Sequence, residues 1–205
     1  MVKPLISLTA LPAPFLRDNV DTDQIIPSRE MKSTGKTGLA DGLFAGHRYT
    51  KIGGRDPNPD FVLNQPAYAD SQILLSGSNF GCGSSREHAV WALAEYGVQV
   101  IIAESFAPIF AGNAVRNGVL PLALDRAVID EIAAANAPVI IDLPAQTVRL
   151  SADRSWSFAI GEEAKAMLLE GLDAIDLTLK NTDSIAAWQQ ADRQARPWIY
   201  LGDPT

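Results

Sequence analysis

Gly77-Ser78-Asn79-Phe80-Gly81-Cys82-Gly83-Ser84-Ser85-Arg86-Glu87-His88-Ala89 is the stretch around which this chain is organised. Ile73-Leu74-Leu75 runs into it and reads as a buried strand; an apolar, helical pattern over 85–96 runs out of it. Three glycines and three serines fill the turn between. A Gly-rich turn that opens a helix is a ready anion site. The first N–H groups have no partner within the helix, and the dipole is positive there. Ser84 and Ser85 can cap that terminus or offer hydroxyls to a ligand. Arg86 opposes the dipole in a first turn unless an anion compensates it, and its planar fork matches a carboxylate. The plain alternative is a tight turn whose serines only cap. No Gly-Lys-Ser/Thr follows, so this is not a P-loop. Arg86 stands where a dinucleotide fingerprint needs its third glycine. No Gly-x-Ser-x-Gly elbow is present.

Outward from this turn the pattern is regular on the C-terminal side. Strands are expected at 72–76, 98–103 and 119–124, with helices at 85–96, 106–117 and 126–135. That alternation implies an α/β fold with a partly parallel sheet and helices packed on it. Shorter strands follow at 138–143, 147–150 and 157–160 and suggest a small antiparallel appendix. Helices are expected from Gly161 to about Glu170 and over 184–195, the second ended by Pro197. Trp198 to Leu201 form an apolar tail for this domain or a partner. On the N-terminal side, 5–8 and 14–17 read as short strands. Asp18 to Asp23 is an acidic turn whose carboxylates can bond backbone N–H groups. Residues 28–60 are irregular, anchored at most by Leu43-Phe44. No linker or repeat divides the chain, so 1–205 reads as a single domain, with 180–205 as C-terminal helix and tail.

Composition bounds the function. Hydrophobic residues make up 47% of the 205, enough for a sizeable core. The net charge of −7 argues against nucleic acid as a general partner. No apolar run reaches the ~20 residues that span a bilayer, and the N-terminus carries no signal-peptide core. The single cysteine excludes a disulfide framework and fits a reducing cytoplasm. Charge is uneven: Arg29, Lys32, Lys36, Arg48, Lys51 and Arg55 face only Glu30 and Asp41 between residues 29 and 55. A basic segment in an acidic chain suggests a small anionic ligand. Cys82, His47 and His88 are too few and too scattered for an iron–sulfur cluster or a zinc site. Cys82 reads as a small turn residue. His88, four residues after Ser84, reads as a structural histidine that could orient that serine.

Gly83-Ser84-Ser85-Arg86-Glu87-His88-Ala89 resembles the signature of the aconitase-type swivelling domain. Asp18-Asn19-Val20-Asp21-Thr22-Asp23-Gln24-Ile25-Ile26-Pro27 resembles the opening motif of the isopropylmalate dehydratase small subunits. Ser105 to Phe110, Asn113, Asn117-Gly118 and Leu120-Pro121 resemble that family's second helix and following strand. Aconitases carry an acidic residue where this chain has Cys82; the isopropylmalate branch usually carries cysteine there. The length suits a free-standing small subunit. The resemblance implies a swivelling β/β/α domain and a hydro-lyase that isomerises 2- and 3-isopropylmalate by dehydration and rehydration in leucine biosynthesis. It also implies a heterodimer: a large subunit would carry the 4Fe-4S cluster, and this chain would bind no cofactor or metal. Ser84 matches the catalytic serine base, and Ser85 and Arg86 match positions that bind a substrate carboxylate.

Residues 28–40 are expected to form a mobile loop over the substrate. Arg29, Lys32 and Lys36 would meet carboxylates, and Met31 and Leu39 would touch a branched alkyl arm. Related hydroxy acids (homoaconitate, citraconate or a methylated malate) remain open as substrates. So does a carboxylate-sensing domain without chemistry, which would tolerate alanine at Ser84.

Overall fold

The computed structural model describes residues 3–32 and 35–200. β1 (Ser7–Ala10) and β2 (Ala13–Pro14) come first, then α1 (Thr22–Ile25) and α2 (Ala45–Arg48), each about one turn. β3 (Ile73–Leu75), α3 (His88–Tyr96), β4 (Val100–Ala103), α4 (Pro108–Arg116), β5 (Leu120–Ala123) and α5 (Arg126–Ala135) follow in strict alternation. β6 (Val139–Asp142), β7 (Thr147–Ser151) and β8 (Arg154–Ser157) lead into α6 (Glu162–Glu170), α7 (Ala174–Leu179) and α8 (Thr182–Ala195).

The strands form two four-stranded sheets. In the order β2-β3-β4-β5 every pair is parallel. A crossover helix between successive strands returns the chain to the same end, which parallel pairing requires. In the order β1-β6-β7-β8 every pair is antiparallel. The antiparallel part is thus a sheet of its own, because the N-terminal strand β1 pairs with β6 rather than joining the parallel sheet.

The two-residue period of the parallel strands sorts the core into two layers. Ile73, Leu75, Val100, Ile102, Leu120 and Leu122 pack with β6, β7, α5 and α6. Leu74, Ile101 and Ala103 face the other way, onto α3, α4 and the anchors of residues 39–63. The result is the β/β/α arrangement.

Several boundaries shift for local reasons. A two-residue turn at Ala152-Asp153 returns the chain early, so the last strand is β8 at 154–157 and not 157–160. Pro108 sets the start of α4 at its first position. The short α7 was not anticipated; a capping box between Asp173 and Asp176 starts it. Residues 28–60 are less irregular than their glycines suggest. Two 3-10 turns, Ser28–Glu30 and Ala40–Gly42, accompany α2. Leu39, Leu43 and Phe44 are fully buried, and Phe44 meets Phe15 and Phe61 at 5.0 and 5.8 Å between ring centroids. At the other end, α8 buries no residue, and Trp188 and Trp198 are exposed. The tail turns back on this helix, where the Tyr200 hydroxyl donates to Asp192 at 2.6 Å; Leu201 lies outside the described residues. None of the described helices is long and apolar enough to cross a membrane.

Candidate active site

The turn after β3 continues the parallel sheet beyond the carboxyl ends of its strands. Residues 77–82 lie between residues 17–22 on one side and 104–107 on the other. Gly77 N–H donates to Arg17 O at 3.0 Å, Asn19 N–H to Ser78 O at 2.8 Å, Gly81 N–H to Val20 O at 2.7 Å and Thr22 N–H to Cys82 O at 2.9 Å. On the other edge Phe80 N–H donates to Ser105 O and Ala107 N–H to Phe80 O. Ligands of parallel α/β sheets bind at this end of the strands.

Side chains lock the same ladder. Asp18 Oδ1 accepts from Ser78 N–H at 2.7 Å. That backbone bond, with the Ser78 hydroxyl, holds the Asp18 carboxyl below its ordinary range. Asp21 caps α1 by accepting from Gln24 N–H at 2.7 Å. The acidic turn therefore bonds backbone N–H groups as expected, and it also reaches the Ser84–Arg86 turn through Thr22 and Asp23. Glycine is required twice here. At Gly81, with φ +76°, a Cβ would run into the Phe110 ring, and at Gly77 it would strike Asp18 Oδ1.

The structure corrects the local reading of Ser84, Ser85 and Arg86. α3 begins at His88 after a Glu87 cap residue. The two serines precede the helix and do not cap it, and Arg86 is outside its first turn. Gly83 at φ +92° and a bond from Ser84 N–H to Thr22 Oγ1 at 3.1 Å turn the chain away from helical geometry. Ser84 and Ser85 are exposed. The backbone N–H groups of Ser85, Arg86 and Glu87 find no acceptor among the described residues. The anion that answers Arg86 is Asp23, ion-paired through Nη1. Ser28 Oγ also donates to Asp23 Oδ1, at 3.3 Å, joining the start of the 28–40 segment to this pair. His88 does not orient Ser84. Their four-residue spacing is not helical, and the imidazole packs on Trp91 at 4.7 Å.

The family model of the aconitase C-terminal domain matches residues 2–127. A curated 3-isopropylmalate dehydratase small subunit from Cupriavidus necator is 53% identical over 98% of this chain and 99% of its own length. The chain belongs to the 3-isopropylmalate dehydratase small-subunit family. A crystal structure of 3-isopropylmalate dehydratase from Methanocaldococcus jannaschii is similar at a TM-score of 0.66 and 27% identity, over 90% of this chain and 99% of that one.

The iron–sulfur cluster of aconitase-type enzymes does not fit the donors of this family member. Cys82 is its one thiol, and no group of three His, Cys, Asp or Glu side chains among the described residues could hold a metal.

The 28–40 segment is placed differently from expectation at Leu39 and Lys36. Leu39 is 1% exposed and belongs to the core, so it cannot touch a substrate. It is held there because Glu95 on α3 accepts from the N–H groups of Gly38, Leu39 and Ala40 at 2.6, 2.6 and 2.9 Å. Arg29 pairs with Glu30 at 3.5 Å. Glu30 is itself buried and held by Arg55 at 2.7 Å. Lys36 is committed to Asn117 Oδ1 at 3.1 Å and lies 5.4 Å over the Trp91 ring. Arg48 bonds Ala40 O and stacks on Tyr96. Much of the basic segment thus braces its own fold. Lys32 is exposed and Met31 half-buried. Lys36, Trp91, Glu95 and Asn117 line a cleft of about 660 Å³ that excludes Ser84, Ser85 and Arg86.

Sequence reasoning gave no site role to Glu95, and quoted Thr22 and Asn117 only as parts of the family motifs. Glu95 had a readable signal: it is the one carboxylate within the otherwise apolar α3. Thr22 lay in plain view between Asp21 and Asp23, but its partner is 62 residues away.

Proposed function

We propose that this chain is the small subunit of a 3-isopropylmalate dehydratase, interconverting 2- and 3-isopropylmalate in the cytoplasmic pathway to leucine, with Ser84 as the proton-transferring residue. The observation that carries the reading is an exposed Ser84 two residues before Arg86, directly after a stretch whose backbone is bonded on both edges. A serine hydroxyl is a weak base, so its alkoxide needs support. The guanidinium of Arg86, the unengaged N–H groups of residues 85–87 and the positive end of α3 supply it. Arg86 presents five N–H donors, so it can keep Asp23 as an orienting partner and still receive a substrate carboxylate. Ser85 adds a hydroxyl to the same carboxylate. Lys32 brings an ammonium, Met31 apolar surface for the branched arm, and Arg29 a second guanidinium once its weak contact to Glu30 yields. A large subunit would carry the 4Fe-4S cluster and complete this open half-site, and the cluster would supply Lewis-acid chemistry when bound.

The test is reconstitution. The purified chain alone should be colourless and inactive; mixed with a cognate, cluster-loaded large subunit, it should turn over isopropylmalate. Stoichiometric iron–sulfur absorbance on the chain alone would contradict the assignment. Ser84→Ala with near-normal kcat in the assembled enzyme would return the site to a carboxylate sensor.

A further inference from the structure

The structure assigns Glu95 and Asn117 as positioning residues that seat the 35–40 segment on α3, in register with Arg86. This rests on reading residues 28–40 as the substrate loop. The 3-10 turn Ala40–Gly42 has no side-chain cap from its own cap residue, Leu39. Glu95, on the last turn of α3, takes that place from another element. One carboxylate accepts from three successive N–H groups that lie 55–57 residues away in sequence. Charge-assisted bonds of this length are the strong kind, and three of them fix a stretch of main chain and not one side chain.

Asn117 makes the second contact. Its Oδ1 accepts from Trp91 Nε1 and from Lys36 Nζ, both at 3.1 Å. Its Nδ2 donates to Asn113 O at 2.9 Å and to Glu87 Oε1 at 2.7 Å. An indole nitrogen can only donate, so the oxygen must face Trp91, and the amide's orientation is set. Both N–H groups and both acceptor sites are then occupied. Lys36 on the segment and Glu87, the neighbour of Arg86, are held by one side chain. Lys36 therefore acts through Asn117, as part of the seat. The substrate-facing groups of the segment are those before it.

The experiment uses the assembled enzyme with isopropylmalate as the varied substrate. Glu95→Gln keeps one acceptor and cannot serve three donors. We expect KM to rise about tenfold with kcat held within about twofold, the pattern of lost substrate positioning. Amide exchange at residues 38–40 should quicken about tenfold while the β4 amides keep their protection. Lys36→Met and Asn117→Ala, which leave Leu39 in the core, should each raise KM about threefold, and the double variant no more than either alone. Additive effects would make Lys36 a direct substrate ligand and overturn the seat. Unchanged exchange at 38–40 in Glu95→Gln, or quickened exchange with KM unaltered, would also overturn it. Met31→Ser, run in parallel, separates the two readings. If it leaves discrimination between branched and unbranched malates unaltered, the substrate-loop reading fails, whatever exchange at 38–40 shows.

Discussion

Two segments flank Arg86 and are held by opposite means. Residues 77–82 are held mainly through their main chain, by N–H to C=O bonds on both edges with Asp18 and Ser105 side chains added, and by glycines whose replacement would collide with neighbours. Residues 29–32 and 35–40 are held through side chains: Glu30 with Arg55 at one end, Glu95 and Asn117 at the other. A main-chain ladder leaves side chains free to vary without moving the frame, which suits the proposed proton-transfer role, where atoms must be placed within a fraction of an ångström. A segment hung on a few side chains can be moved by single substitutions, which suits the proposed role of selecting among substrate arms.

The comparison can be broken most directly at the turn. Ser84→Ala in the assembled enzyme should lower kcat by about 10²–10⁴-fold, with KM and the unfolding midpoint nearly unchanged because the side chain is exposed. Gly81→Ala attacks the frame itself. A positive φ and a collision with Phe110 combine to cost about 2–5 kcal/mol, read as a lower urea midpoint at unchanged m-value.

Within the segment, Leu39 and Met31 should separate. Leu39→Ala removes a fully buried side chain and should cost at least about 2 kcal/mol of stability, with any loss of kcat/KM shared by all substrates. Met31→Ser should cost little stability. It should lower kcat/KM for the branched substrate against a less branched malate by about 1–3 kcal/mol. Equal losses on both substrates would make the segment a docking surface.

The smallest effect sharpens the contrast. Burial pushes the Glu95 carboxyl up, but the N–H groups of Gly38, Leu39 and Ala40 outweigh it and hold it below the ordinary 4.5. A depressed folded pKa contributes stability that is present above 4.5 and fades as pH falls through the lower folded value. Between residues 17–22 and 77–82 Asp18 titrates on Ser78 N–H, but the bonds at Gly81 and Thr22 join main chain to main chain. Exchange at 38–40 should therefore quicken in acid before exchange at Gly81 and Thr22. Simultaneous loosening would mean that the two segments are not held differently.

What could be read from the sequence was what repeats locally. Strand–helix alternation from residue 72 onward marked the parallel sheet and its covering helices, because side-chain period follows backbone geometry. The Gly/Ser turn with Arg86 marked the candidate site, since glycines and a strand end are local signals. The family followed from motifs in order along the chain. What only the tertiary structure decided was which polar groups found each other. Asp23 reaches Arg86 across 63 residues, Thr22 reaches Ser84 across 62, and Glu95 reaches Leu39 across 56. Nothing periodic marks such partners, because each bond depends on how the sheet brings distant turns to one edge. For the same reason Leu39, which looks like loop surface in a glycine-broken stretch, became core: a carboxylate on another element pulled its backbone onto α3. The late start of α3 at His88 has that origin too, since Thr22 and Asp23 hold Ser84 and Arg86 out of the helix that their own sequence would join.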